Sequence, residues 1–150
     1  MTYHLAQINI AEALAPLDSE TMSEFMNGLE RINRLAEESE GFVWRLKVEA
    51  ESNATDIQAF DNPLIIVNMS VWEDLESLKA FTFHTDHVYF LRNRKQWFKK
   101  MDTPPYVLWW IPAGTVPSVE DGKKALQHLV EHGATEVAFD FKRPFDAPTL

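Results

Sequence analysis

The stretch Leu64-Ile-Ile-Val-Asn-Met-Ser-Val-Trp72 decides how this chain is read. Ile65, Val67, Met69 and Val71 alternate as a wholly apolar set, and Ile66, Asn68, Ser70 and Trp72 form a mixed one. Strict alternation is the mark of a strand with two different faces. Downstream, Asp74 is placed to cap a helix that begins with Leu75 and Leu78. Upstream, Ala50 to Pro63 is polar and turn-rich, and reads as a long hairpin loop. Before it, Phe42 to Val48 reads as a partner strand. Phe42, Trp44, Leu46 and Val48 lie on one of its faces, and Val43, Arg45 and Lys47 on the other.

The remaining elements follow from spacing. His4 to Ile10 predicts a strand, with Leu5, Gln7 and Asn9 on one face and Ala6, Ile8 and Ile10 on the other. Met22, Phe25, Met26, Leu29, Ile32, Asn33 and Ala36 recur at helical spacing, and Gly41 suits the stop. The helical pattern from Leu75 runs to about Lys100, with a break near His84-Thr85-Asp86 where Thr85 or Asp86 can cap again. Phe83, His87, Phe90, Leu91, Arg94, Trp97 and Phe98 share a face of that second segment. Pro104-Pro105 ends it, and Tyr106 to Ile111 predicts a fourth strand. Ser118, with Asp121 three residues on, opens a last helix with the stripe Ala125, Leu126, Leu129 and Val130, closed by Gly133. Val137, Phe139 and Phe141 alternate as a last strand, and the tail from Pro144 reads as loose.

The order strand, helix, strand, strand, helix, strand is that of a ferredoxin-like βαββαβ unit. The expectation is an α+β fold with an antiparallel sheet, in a single domain over 1–150. Its core spans 1–112, and 113–150 adds a C-terminal helix and strand.

Composition narrows the function classes. The chain has 150 residues, no Cys, and a formal net charge of −9 from 14 basic and 23 acidic side chains. Without Cys there is no disulfide framework, thiol catalysis or thiolate metal site. The negative charge disfavours a nucleic-acid partner, which is bound through basic surface. No apolar run approaches the roughly 20 residues of a membrane span. Met1-Thr-Tyr-His4 does not open a secretory signal, so a cytoplasmic protein with no membrane partner is expected. Arg92, Arg94, Lys95, Lys99 and Lys100 form a basic run, either an anion site or the cationic end of a helix.

Several motifs together carry a resemblance. Val67 to Leu78 resembles the third-strand and second-helix signature of the dimeric α/β-barrel superfamily, which includes antibiotic-biosynthesis and haem-degrading monooxygenases. The whole chain resembles an uncharacterised bacterial domain family of that superfamily. The matching motifs are Phe42-Val-Trp-Arg45, Asn68-Met-Ser-Val-Trp72, His87, Arg94 with Trp97-Phe98, and Trp109-Trp-Ile-Pro-Ala-Gly114. The resemblance implies a homodimer with sheets back to back and a small-molecule cavity. It also implies a monooxygenase-like enzyme acting on a small planar or anionic organic compound. No cofactor is expected, haem being the one alternative. The other reading is a non-catalytic ligand-binding or stress-response dimer.

The candidate site follows from the alternation. If the apolar face of the third strand packs on the helices, Asn68, Ser70 and Trp72 face the barrel side. Gln7, Asn9 and Arg45 then join them as a pocket, or as a polar interior satisfied by water and a partner subunit. Asn68 and Trp72 would hold or distort the ligand, with Gln7, Asn9 and Ser70 as further contacts. Arg45 anchors an anionic group or pairs with an acid such as Asp56 or Asp61. His87, beside an apolar wall, is a candidate base, a haem ligand, or a structural histidine. His84 lies three residues away on the same helical side and is a candidate ligand contact. The pair lacks a third ligand, so no metal site is expected.

Overall fold

The computed structural model describes residues 2–46, 64–85, 87–101 and 103–148. β1 (Tyr3–Glu12) leads to α1 (Ser23–Glu38), then β2 (Phe42–Arg45) and β3 (Ile65–Trp72). α2 (Leu75–His84) and α3 (His87–Asn93) follow, with a 3-10 turn at Arg94–Gln96. β4 (Tyr106–Pro112) and α4 (Val119–His132) complete the order. The four strands form one antiparallel sheet in the order β2-β3-β1-β4. This is the expected ferredoxin-like order with a helix added. The end of the second strand (47–48), the loop at 50–63, and the cap at Asp86 lie outside the described residues.

Local chemistry sets several boundaries where the sequence places them. The Asp74 side chain accepts a hydrogen bond from the Ser77 N–H at 2.8 Å and caps α2. Ser118 and Asp121 form a reciprocal capping box at α4, and Gly133 ends it at φ +72°. α1 stops at Glu38, with Gly41 beyond it at φ +84°.

The two sheet faces are covered the opposite way round from the expectation. Ala6, Ile8, Val67, Met69, Val71, Val107 and their neighbours pack against Ala125, Leu126 and Leu129 of α4. Leu5, Trp72 and Leu108 pack against Ile32 and Ala36 of α1 and Leu78 and Phe81 of α2. So the wholly apolar face meets α4, and the mixed face meets α1 and α2. The reason is area. The wholly apolar face needs cover, and the extension supplies it over β4 and β1. Trp72, Leu5 and Leu108 are enough apolar surface for the other two helices. At Gly122 a Cβ would come within 2.7 Å of Ile8 Cδ1, so α4 lies close on β1. A back-to-back pairing of two sheets would need the face that α4 covers.

The extension differs in detail as well. The last strand is reduced to one antiparallel bridge, Leu108 to Phe139, with hydrogen bonds of 2.8 and 2.9 Å. Val137 and Val130 are exposed rather than packed. The tail is anchored by Trp110 Nε1, which donates to the Phe145 carbonyl at 2.8 Å. Phe83, assigned to the buried face of the second helical segment, is exposed, whereas Trp97 is buried beside Ala13 and Met22.

Candidate functional site

Strand register gathers the polar residues into two adjacent rows on the face under α1 and α2. Arg45 sits opposite Ser70, and Ser70 opposite Gln7. In the next row Asn68 sits opposite Asn9, and Asn9 opposite Tyr106. Trp72 and Leu5 close the rows on one side. Six of the predicted site residues thus come together, on the helix side of the sheet rather than on the barrel side.

Gln7 is the hub. Its Nε2 donates to Asn68 Oδ1 at 2.9 Å and to Ser70 Oγ at 2.8 Å. Trp72 Nε1 also donates to Ser70 Oγ, at 2.9 Å. Gln7 and Ser70 are each only 7% exposed, and Trp72 is fully buried. Buried polar groups are kept where they are hydrogen-bonded, and this chain of bonds satisfies the indole and half of the Gln7 amide. The Gln7 Oε1, the Asn68 amide nitrogen and the Asn9 side chain have no partner among the described residues.

Trp72 is fixed from both sides. Phe42 meets it edge-on at 5.5 Å, and Phe81 stacks on it at 5.2 Å. Such aromatic pairs add about 0.5–1.5 kcal/mol beyond burial. The result is a rigid wall ending in a satisfied N–H.

Arg45 does not reach for a ligand. Its Nε donates to Glu37 Oε2 at 3.2 Å and its Nη1 to the Leu46 carbonyl at 3.3 Å. The partner acid comes from α1; Asp56 and Asp61 lie outside the described residues. A cavity of about 280 Å³ opens beside this pair, lined by Phe42, Val43 and Trp44.

His87 stands apart from the rows. Its ring packs on Phe81 at 5.0 Å, and Phe81 also stacks on Trp72. Nδ1 lies 3.2 Å from the Thr82 carbonyl, which sets the tautomer with the proton on Nδ1 and leaves Nε2 as the basic atom. Burial pushes its pKa below the ordinary value, against the opposing effect of the Thr82 bond. Below about pH 6.5 the unfolded chain then takes up a proton before the folded one does. Stability contributed by the neutral imidazole is present above that pH and falls as pH drops toward the folded pKa. His87→Phe is expected to flatten this part of the profile, which urea midpoints for both chains between pH 5 and 8 will read.

His84 is exposed at the end of α2 and joins neither the rows nor His87 in a ligand set. Among the described residues no group of three metal-ligating side chains occurs. No described helix is long and apolar enough to cross a membrane. In the basic run, Lys99 pairs with Glu12 at 2.8 Å.

One residue was missed. Asn33 lies in the apolar stripe of α1, is 7% exposed, and has no side-chain partner among the described residues. An amide inside an apolar helical stripe was the available signal. A second cavity, of about 560 Å³, is lined by Trp109, Ile111, Val116, Lys124, His128 and Val137 among others. It lies on the α4 side of the sheet and shares no residue with the polar rows.

The fold has relatives among solved structures. NE2512 of Nitrosomonas europaea is 14% identical, with a TM-score of 0.53 over 78% of this chain and 97% of that one. A protein from Methanosarcina mazei is 17% identical, with a TM-score of 0.51 over 73% and 92%. SnoaB of Streptomyces nogalater, a cofactor-independent oxygenase, is 14% identical, with a TM-score of 0.50 over 77% and 98%. At such identities the likeness is one of fold alone. No curated protein matches the sequence. The profile of the domain of unknown function DUF3291 matches residues 4–150, nearly the whole chain, and the chain belongs to that family.

Proposed function

We propose that this protein binds a small planar organic molecule between the polar rows and α1, and acts on it as a monooxygenase-like enzyme. The observation that carries the reading is the half-satisfied network: Gln7 Oε1, the Asn68 amide and Asn9 lie unbonded beside a rigid indole wall. Small-molecule sites combine apolar walls with a few placed polar groups. Likeness of fold to a cofactor-independent oxygenase supports the choice of reaction. Without a cofactor, the substrate itself supplies all four electrons that reduce dioxygen. One oxygen atom of dioxygen enters the substrate, and the other leaves as water. In the proposed roles Gln7 and Asn68 hold the polar edge, Asn9 and Ser70 border it, and Trp72 supports the ring.

Haem fits poorly, because the His87 ring that would hold it is packed on Phe81. Pairing of two copies, the other part of the resemblance, has to use a surface other than the face under α4. A second reading, a ligand holder without chemistry, is favoured by one observation. Among the described residues of the paired rows, Arg45 and Tyr106 are the only titratable side chains, and Arg45 is tied to Glu37.

Titration with 1-naphthol, followed by tryptophan fluorescence and by an oxygen electrode, separates these readings. Saturable quenching with oxygen uptake and 1,4-naphthoquinone formation supports the enzyme. Quenching without uptake supports the holder. Gln7→Leu and Asn68→Ala should each weaken binding about fivefold, the worth of one net hydrogen bond of about 1 kcal/mol. Absence of quenching overturns both readings.

A further inference from the structure

We infer that the cavity on the α4 side of the sheet is a second binding site, which takes a small aromatic monocarboxylate. It shares no residue with the polar rows, so it stands or falls independently of the reading above. Its volume of about 560 Å³ lies within the roughly 300–1,000 Å³ usual for small-molecule sites. Every lining residue belongs to one continuous described stretch, 103–148. The floor is Trp109 and Ile111 of β4, the outer strand of the sheet. One wall is the connection from β4 to α4, residues 115–117. The other is a face of α4 carrying Asp121, Lys124, Ala125 and His128, spaced three and four apart. Val137 completes the rim, and its turn is fixed on both sides. Val137 N–H donates to Thr135 Oγ1 at 3.1 Å, and His128 Nε2 of α4 lies 2.8 Å from the same oxygen. Two residues on, Phe139 bridges Leu108 of β4.

The polar side chains of the lining point to the ligand. Three of them have partners. Thr115 Oγ1 donates to the Pro112 carbonyl at 2.6 Å, Asp121 accepts from the Ser118 N–H at 2.9 Å, and His128 bonds Thr135. The Lys124 ammonium has no ion pair or hydrogen bond among the described residues, whereas its neighbour Lys123 pairs with Glu120 at 3.9 Å. The Trp109 indole N–H also has none, although that residue is only 8% exposed; the indoles of Trp72 and Trp110 are both bonded. Buried polar groups are ordinarily hydrogen-bonded, so an unpaired N–H in a cavity wall marks a place for an acceptor. A cation and a neutral N–H on one cavity suit a carboxylate, whose oxygens accept from both and whose charge strengthens each bond. Trp109, Pro112 and Pro117 give the rigid apolar surface that an aromatic ring packs on. Val116 and Val137, 64% and 58% exposed, are rim surface that a bound ring would take out of water. The chain's net charge of −9 works against any anion, so affinity for a carboxylate reports a local cation rather than the overall field.

The test titrates 1-naphthoate and, separately, 1-naphthol into the full chain at pH 7.5, two molecules with the same rings and different charge. The indole N–H of Trp109, followed by nitrogen-15 NMR, reports the site. The expected result is a saturating shift of that resonance with 1-naphthoate and none with 1-naphthol. Lys124→Ala should weaken naphthoate binding about fivefold, the upper worth of a solvent-facing ion pair, and Lys124→Arg should retain it. Lys124 is exposed, so neither variant should move the urea midpoint. Lys123→Ala, outside the lining, should bind as the unaltered chain does. A Trp109 resonance that 1-naphthoate leaves in place overturns the inference. So does a Lys124→Ala chain of unchanged affinity, because no ion pair then holds the carboxylate. An equal shift with 1-naphthol overturns it too, because the cavity then takes the rings without reading their charge.

Discussion

Trp72→Ala is expected to lower the free energy of unfolding by about 3–5 kcal/mol, the usual cost of truncating a buried aromatic. That is a large fraction of the roughly 5–15 kcal/mol available to a domain of this kind. Trp72 is fully buried, stacked on Phe81, met edge-on by Phe42, and bonded to Ser70. Removing the ring leaves a cavity between β3 and α2, and Ser70 loses one of its two donors. Trp72→Phe keeps most of the packing and removes only the N–H. It should cost less in stability, yet loosen Ser70 and with it the Gln7 amide. Urea unfolding of both variants, read beside 1-naphthol affinity, separates the two contributions. If the Ala variant loses less than about 1 kcal/mol, Trp72 is not the packed wall described here.

The second large effect is expected at α4. Leu129→Asp places a carboxylate where Leu129 packs against the apolar sheet face. Loss of the buried Leu alone costs about 2–5 kcal/mol, and the unpaired charge adds to it. The expected outcome is detachment or strong destabilisation of α4. Ile8 of β1 and Val107 of β4, buried in one cluster with Leu129, would become exposed. A contiguous apolar face of this kind drives association. Sedimentation should therefore show self-association of Leu129→Asp that is absent from Leu129→Ala. A variant that sediments and unfolds like the unaltered chain would mean that α4 does not cover this face.

These two sites also show what could be read from sequence. The alternation in Leu64–Trp72 specified β3 and separated its faces, because side-chain period alone decides that. Capping chemistry was similarly local: Asp74 and Ser118–Asp121 act within one helical turn, so their spacing was sufficient. Which face met which helix was not local. Both faces of β3 carry apolar bulk, and the choice depended on α4, whose Gly122 allows it to lie close on Ile8. The polar residues Gln7, Asn9, Asn68 and Ser70 were legible as one group because register follows from the hydrophobic pattern. Arg45 was assigned to more distant acids, whereas a tight turn brings Glu37 back against it. His87 shares a stripe with Trp97 in the sequence, whereas its ring packs on Phe81, which also stacks on Trp72. Val137, Phe139 and Phe141 alternate like a strand, yet only Phe139 reaches β4; Phe141 rests on Tyr106 instead.

The most direct test of the polar rows as a ligand site is nitrogen-15 NMR of the side-chain amides during titration with 1-naphthol. The amide resonances of Gln7 and Asn68 should shift together along one saturating curve, and the indole N–H of Trp109, on the α4 side, should stay in place. Shifts confined to Trp109 and the α4 side of the sheet, with both amides unmoved, would contradict the account.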